Sequence, residues 1–162
     1  MWPLSLLTAT LALLHIVFTM NFFGAVFVLN FVLGPVVLAV SPSTMTEFFS
    51  KFWPSMKRFL HASIGGTAIF GLLLYAAGDF RSMTGNAAAY LDVGVLIGLL
   101  AMIEAEALQI PAATRLLNSA TPTGPVLSPE QKKAFDRIKT GGIIGSITII
   151  LSVIFMVASA WA

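Results

Sequence analysis

The stretch from Pro3 to Val40 reads PLSLLTATLALLHIVFTMNFFGAVFVLNFVLGPVVLAV, without a single Asp, Glu, Lys or Arg. Its only ionisable side chain is His15. A helix needs about 20 apolar residues to cross the hydrocarbon core of a bilayer. This stretch offers nearly twice that length, so it predicts a first membrane-spanning helix and an integral membrane protein that contacts the lipid bilayer.

The composition of the whole chain supports a membrane location. Of its 162 residues, 57% are hydrophobic and 10% are charged, against about 25% charged in soluble domains. The chain has no cysteine, which excludes disulfides, thiolate metal sites and a cysteine nucleophile. The net charge of +2 resides in short segments between apolar stretches. We therefore expect no nucleic-acid partner.

Apolar stretches predict an all-α fold, a four-helix transmembrane bundle that forms one domain over residues 1–162. The spans are expected at about residues 4–33, 59–77, 88–109 and 141–161. Residues 1–4 carry no positively charged side chain, so they are expected to belong to the first span rather than to a signal peptide. Gly34-Pro35 is expected to loosen or end the first helix, because proline lacks an amide hydrogen and clashes with the preceding turn.

Two segments next to spans are expected to be helical. The aromatic and basic segment 46–59 indicates a short interfacial helix, broken near Pro54, at the headgroup layer. Ser128-Pro129-Glu130-Gln131 has the pattern of a helix start, with serine as N-cap and glutamine three residues later. The amphipathic helix that it begins is expected to run into the fourth span.

The distribution of cations predicts the orientation. Arg81 is the one cation between spans two and three. The other two connections contain eight: Lys51, Lys57, Arg58, Arg115, Lys132, Lys133, Arg137 and Lys139. Short loops rich in Lys and Arg stay in the cytoplasm. Loops 41–58 and 112–140 are therefore expected to be cytoplasmic, both termini outside, and the membrane to be a prokaryotic inner membrane.

Two histidines are candidates for cofactor binding. His15 and His61 lie in or near the hydrocarbon, where ionisable side chains are costly and usually have a function or a partner. Imidazole binds haem iron and copper, so haem b or copper is the expected cofactor, with His15 as the metal ligand. The two depths differ by about 10 Å or more, which argues against one haem held by both. Alternatively, His15 bonds a neighbouring helix and His61 is an interfacial anchor.

Methionine thioethers are a second class of copper ligand. The chain has seven methionines, without a tight Met-x-Met cluster. Methionine is also a flexible core filler. The structural role is therefore expected for each of them.

Glu104 and Glu106 are candidates for a proton or ion pathway. Because they are two residues apart, they point to nearly opposite sides of a helix and are not expected to share a site. Glu106 continues the face of Gly94 and Gly98, which is expected to meet another helix. A salt bridge or a protonated carboxyl is its alternative role. Glu104 is expected to snorkel or to contact a neighbouring subunit.

Small residues indicate where helices pack closely. Gly94-x-x-x-Gly98 and Gly141-x-x-x-Gly145 place pairs of glycines on one helix face, which permits close contact in lipid. Together with the glycines of span two, they offer more close-packing surface than one small bundle needs. We therefore expect a homo-oligomer or other membrane subunits as partners.

The first span, LHIVFTMNFFGAVFVLNFVLGPVV, resembles the opening helix of a group of small four-helix membrane proteins. The group includes CopD-like copper-resistance proteins and HemJ-type protoporphyrinogen oxidases. The resemblance rests on His15 early in the span, Gly24 nine residues later, Pro35 at the helix end and the connector FFSKFWPSMKRF. It implies a four-helix bundle in which His15 ligates haem or copper.

Three functions follow from these observations. The first is a membrane redox or metal-handling protein that uses His15, and the second is a non-catalytic subunit of a larger membrane complex. The third is a proton-coupled transporter that uses Glu106. The sequence shows no nucleophile triad, phosphate loop, zinc motif or dinucleotide fingerprint, which weakens a hypothesis of enzymatic activity.

Overall fold

A computed structural model describes residues 5–77, 85–118, 128–159 and 161. The predicted polar connections at residues 78–84 and 119–127, with Arg81, and the predicted start of span one at residue 4 lie outside these residues. The chain forms the following elements in order: α1 Leu6–Phe27, a first π-helical turn Val28–Leu33, α2 Gly34–Ala39, α3 Pro42–Ala77, α4 Asn86–Glu104, a second π-helical turn Ala105–Gln109, α5 Ile110–Asn118 and α6 Pro129–Ala158.

Four helical stretches are long and apolar enough to cross a membrane, which confirms the all-α fold and the prediction of an integral membrane protein. Each has 30 or 31 residues: Leu6–Val36, Glu47–Ala77, Asn86–Leu116 and Pro129–Ala158. We call them spans one to four. At 1.5 Å per residue each is about 45 Å long, against a hydrocarbon core of about 30 Å. Each span therefore extends beyond the hydrocarbon into the polar layers.

The spans pack as two antiparallel hairpins. Helix α1 packs along α3, and α4 packs along α6, while α1 contacts α6 and α3 contacts α5 to join the hairpins. The core between them is apolar and includes Phe22, Val26, Trp53, Leu60, Ile64, Ala101, Ala105, Ile110 and Ile149. The outward faces are apolar as well, since Ile69 and Leu96 are more than half exposed. Such faces suit contact with lipid chains, because lipid is as apolar as a leucine side chain.

The described cations cluster at one end of the bundle, which we call the basic end. Lys51, Lys57 and Arg58 lie in the first half of α3, Arg115 lies in α5, and the remaining four lie at the start of α6. A hydrogen bond from Trp53 Nε1 to Thr114 Oγ1, 3.1 Å long, joins α3 to α5 at this end. The charge asymmetry that predicts the orientation is thus a feature of the folded bundle.

A proline follows shortly after each of the two π-helical turns, which are wider than α-helical turns. In the first turn the Gly34 amide donates to the Leu29 carbonyl, and in the second the Ile110 amide donates to the Ala105 carbonyl. Both bonds reach back five residues instead of four, immediately before Pro35 and Pro111. A proline in a regular helix clashes with the carbonyl four residues earlier. The wide turn accommodates it, and the first helix continues as α2 beyond the predicted weak point.

The predicted break near Pro54 is wrong. Helix α3 runs without interruption from Pro42 to Ala77 and contains Pro54. Packing holds the helix on both sides of the proline, because Trp53 and Leu60 are both buried in the core. The segment 46–59 is therefore helical, as predicted, but it is the first part of the helix that forms span two.

The predicted helix start at Ser128 is confirmed. Its side chain accepts a hydrogen bond from the Gln131 amide, and the Gln131 side chain accepts one from the Ser128 amide. This reciprocal cap satisfies two of the amides that a helix start leaves without partners. Helix α6 then continues as span four, as predicted, and ends at Ala158.

Replacing Gly94 with alanine is expected to destabilise the bundle. A Cβ at this position would lie 2.9 Å from Met156 Cγ and 3.1 Å from the Met156 backbone nitrogen, and such overpacking costs about 1–3 kcal/mol. Unfolding by SDS titration in mixed micelles measures the change. The matched control is Gly24→Ala, since a Cβ there meets nothing within 4 Å among the described residues. Equal stability of the two variants would contradict a close α4–α6 contact.

Candidate functional site

Helix α1 turns one polar and aromatic face toward the other helices. His15, Thr19, Phe22, Val26 and Asn30 lie in one sector of the helix wheel. Phe22 and Val26 are buried, and the other three are half-buried. His15 is thus the ionisable side chain that span one presents to the interior of the bundle.

The His15 ring is held by span two. Its Nδ1 lies 3.0 Å from the Thr67 carbonyl oxygen. Because a carbonyl oxygen only accepts hydrogen bonds, Nδ1 carries the hydrogen. The neutral ring therefore keeps its lone pair on Nε2. Gly71 makes room for this arrangement, since a Cβ at that position would lie 2.7 Å from His15 Cε1.

His15 borders a small cavity of about 80 Å³, which we call the His15 cavity. All four spans contribute to its wall, with Thr19, Gly71, Met102 and Met156 among the lining residues. Two thioether side chains thus border the same space as the imidazole. The sequence alone predicts a structural role for these methionines, because they are 54 positions apart and neither belongs to a motif. The only sequence signal was that Met102 continues the face of Gly94 and Gly98.

The second histidine has a different environment. His61 Nδ1 lies 2.8 Å from Glu106 Oε1, which joins α3 to the second π-helical turn. The side chains are 43% and 35% exposed, respectively. His61 borders neither the His15 cavity nor the larger cavity described below. The structure therefore brings together His61 and Glu106, two candidates from the sequence, and separates them from His15.

Glu104 faces the opposite neighbour, as its two-residue distance from Glu106 predicts. Gln109 Nε2 donates to Glu104 Oε2 over 2.6 Å. A Cβ added to Gly141 of α6 would lie 2.7 Å from Glu104 Oε1. The half-buried carboxylate thus lies against α6 of its own chain. Its snorkelling to the headgroup layer or its contact with a neighbouring subunit stays a prediction.

The glycine pairs predicted for helix packing lie in the α4–α6 interface. Gly94 and Gly98 lie against Ser152 and Met156, and Ser152 Oγ donates to the Gly94 carbonyl over 2.7 Å. Gly141 and Gly145 lie against Glu104 and Gln109. Contacts within one chain thus occupy these faces. A homo-oligomer or a complex with other subunits stays a prediction.

Comparisons with models of known protein families, with curated protein sequences and with solved structures find no match to this chain. Among the described residues, no group of three or more His, Asp or Glu side chains is placed to hold a metal ion.

The His61–Glu106 contact is expected to give a measurable coupling energy. Interhelical hydrogen bonds in membrane proteins contribute about 0.6 kcal/mol on average and about 1.7 kcal/mol at most. A double-mutant cycle of His61→Ala and Glu106→Ala, followed by SDS unfolding, should give a value in this range. A control cycle of His61→Ala and Glu104→Ala should give none, because Glu104 faces α6. Equal coupling in both cycles would refute the pairing.

Proposed function

We propose that this small integral membrane protein binds copper(I) between His15, Met102 and Met156 and handles copper within the membrane. The observation that carries this proposal is that one imidazole and two thioether side chains border a single cavity. Thioether and imidazole ligands are soft, and they select copper(I) among the common metal ions. Among the described residues, no carboxylate borders the cavity, so its wall lacks the carboxylate oxygens with which proteins usually bind magnesium or calcium.

The hydrogen bond of His15 supports the role of a ligand. A histidine that binds a metal usually donates its other ring N–H to a carboxylate or a backbone carbonyl, which fixes the tautomer and the ring orientation. The Thr67 carbonyl accepts this bond from Nδ1. Nε2 is then the atom of the ring that is available to a metal ion.

The size of the cavity favours copper over haem. Sites for cofactors and drug-sized ligands have volumes of about 300–1,000 Å³, several times the 80 Å³ of the His15 cavity. This volume suits a single ion better than a porphyrin. Copper handling also agrees with the copper-resistance proteins in the group that the first span resembles.

Purified protein is expected to bind one copper(I) ion per chain, and His15→Ala is expected to weaken binding at least about tenfold, since even an outer-shell partner is worth that much. Met102→Leu and Met156→Leu should each weaken it in the same direction. An anaerobic titration against a chromophoric copper(I) chelator measures the affinity. The matched controls are His61→Ala and Met20→Leu, because neither side chain borders the cavity.

Two results would overturn the copper proposal. The first is an unchanged affinity for copper(I) in His15→Ala. The second is a stoichiometric haem absorption band in protein purified from its native membrane that is lost in His15→Ala.

Gly71→Ala should also weaken copper(I) binding in the same titration, because the new Cβ would displace the His15 ring.

A second candidate function is proton-coupled transport at the His61–Glu106 pair. An imidazole and a carboxylate 2.8 Å apart form a protonatable pair between two spans, and the partial exposure of both side chains allows proton exchange. Such pairs inside membrane proteins often belong to proton relays. Glu104 lacks a comparable position, because it is enclosed by Gln109 and α6.

In liposomes that contain a pH-sensitive dye, Glu106→Gln is expected to abolish any proton flux that the protein carries. The substitution keeps the side-chain shape and removes the titratable proton. Glu104→Gln serves as the control and should keep the flux. Flux that persists in Glu106→Gln, or that disappears in both variants, would contradict this second function.

A further inference from the structure

A second and larger cavity, of about 220 Å³, lies toward the basic end of the bundle. We call it the basic-end cavity. It shares only Phe22 with the His15 cavity, and this ring is 3% exposed. The two cavities are therefore separate spaces on either side of one buried aromatic side chain.

The wall of the basic-end cavity is apolar except at a few positions. Aromatic and aliphatic side chains from all four spans form most of it, including Phe49, Trp53, Leu60 and Phe135. The remaining polar side chains on the wall are Asn30, Gln109 and Lys139. A mainly apolar wall with a small number of polar groups is the usual pattern of a small-molecule site.

The two π-helical turns contribute to this wall. Leu29 and Asn30 come from the first turn, and Ala105 and Gln109 come from the second. Short π-helical turns inside α-helices are frequent at functional sites. Here they occur on two different spans and border one cavity. Both π-helical turns thus lie next to the space that a ligand of the basic-end cavity would occupy.

The body of the ligand must be apolar. An apolar cavity of about 150 Å³ stays free of water and binds small apolar molecules, and the basic-end cavity is larger than that. Among the described residues, two carboxamides interrupt the inner wall, and the nitrogen of each is already engaged: Asn30 Nδ2 donates to the Val26 carbonyl, and Gln109 Nε2 donates to Glu104. The interior therefore suits a hydrocarbon chain.

The head group must be anionic. In the part of the chain that the structure describes, Lys139 is the only charged side chain on the wall, and no carboxylate borders the cavity. Among the described residues, the Lys139 ammonium makes no salt bridge, and the side chain is exposed. A ligand that places its chain in the cavity and its acidic group at Lys139 satisfies both parts of the site.

From this geometry we propose that the basic-end cavity binds a single-chain amphiphile with a carboxylate head group, of the fatty-acid class. The chain lies among Phe22, Trp53 and Leu60, and the carboxylate pairs with Lys139 Nζ. The volume of 220 Å³ and the single cation favour one chain and one charge over a two-chain phospholipid. This proposal does not depend on copper binding, because the two cavities are separate.

Trp53 supplies the reporter for a test. Its side chain lines the cavity, so a brominated fatty acid bound there should quench its fluorescence. The measurement uses the full chain in detergent with Trp2→Phe and Trp161→Phe, which leaves Trp53 as the only tryptophan. Saturable quenching is expected. Lys139→Met should weaken binding about tenfold, or about 1.4 kcal/mol, because the substitution removes a charge-assisted hydrogen bond to the carboxylate at an exposed position.

The controls separate this site from unspecific partitioning. Lys133→Met removes a cation of the same helix that does not line the cavity, and it should leave binding unchanged. The brominated methyl ester lacks the carboxylate that pairs with Lys139. Its affinity for the protein that retains Lys139 should therefore be about as low as the affinity of the acid for the Lys139→Met variant. Ala113→Phe, which adds a ring to the cavity wall, should reduce saturable quenching.

Three outcomes would overturn the proposal. Quenching that rises linearly without saturation would show only partitioning into the micelle. Equal affinity of the protein for the acid and the methyl ester would show that the carboxylate does not pair with Lys139. In vesicles, quenching by a brominated phospholipid that an added fatty acid does not relieve would assign the cavity to a bilayer lipid. Competition by the fatty acid would support the proposal.

Discussion

The need to satisfy every backbone hydrogen bond inside the membrane governs this structure. Lipid offers no water to a carbonyl or amide that a proline leaves without a partner, and spans one and three each contain a proline. Both use the same solution, a π-helical turn directly before Pro35 or Pro111. These turns place Asn30 and Gln109 on the wall of the basic-end cavity, and the second one carries Glu106. The turns before these two prolines thus bring three polar side chains, Asn30, Glu106 and Gln109, between the spans.

The same constraint applies to polar side chains. Among the described residues, no buried side-chain nitrogen or oxygen lacks a hydrogen-bond partner. Serines and threonines satisfy it locally, as Thr67 does by donating to the Ser63 carbonyl. The ionisable groups of the spans use partners elsewhere: His15 bonds the Thr67 carbonyl, and His61 bonds Glu106. A histidine partnered by a backbone carbonyl has its second nitrogen fixed as an acceptor, whereas an imidazole paired with a carboxylate can exchange a proton. The two histidines therefore suit different chemistry.

Hydropathy was sufficient to predict the four spans and the inward sector of α1, because lipid imposes one strong requirement on length and composition. Capping chemistry was sufficient to predict the start of α6. Helix propensity predicts a break near Pro54 that does not occur, because the packing of Trp53 and Leu60 outweighs the cost of a proline within α3. The site was less predictable. His15 and the carboxylates are visible in the sequence because charge is rare in lipid. The pairing of Glu106 with His61, and the position of two distant methionines on the cavity that His15 borders, depend on how the hairpins pack.

Phe22 determines how the interior is divided. Among the described residues, its buried ring is the one side chain that borders both the His15 cavity and the basic-end cavity. It lies between the proposed copper site, which His15, Met102 and Met156 border, and the proposed fatty-acid site, whose wall carries the ammonium of Lys139. Under these two proposals, a carboxylate bound at Lys139 stays away from the copper ion, for which its hard oxygen atoms are poor partners. Such a separation allows occupancy of the two sites to vary independently within one small bundle.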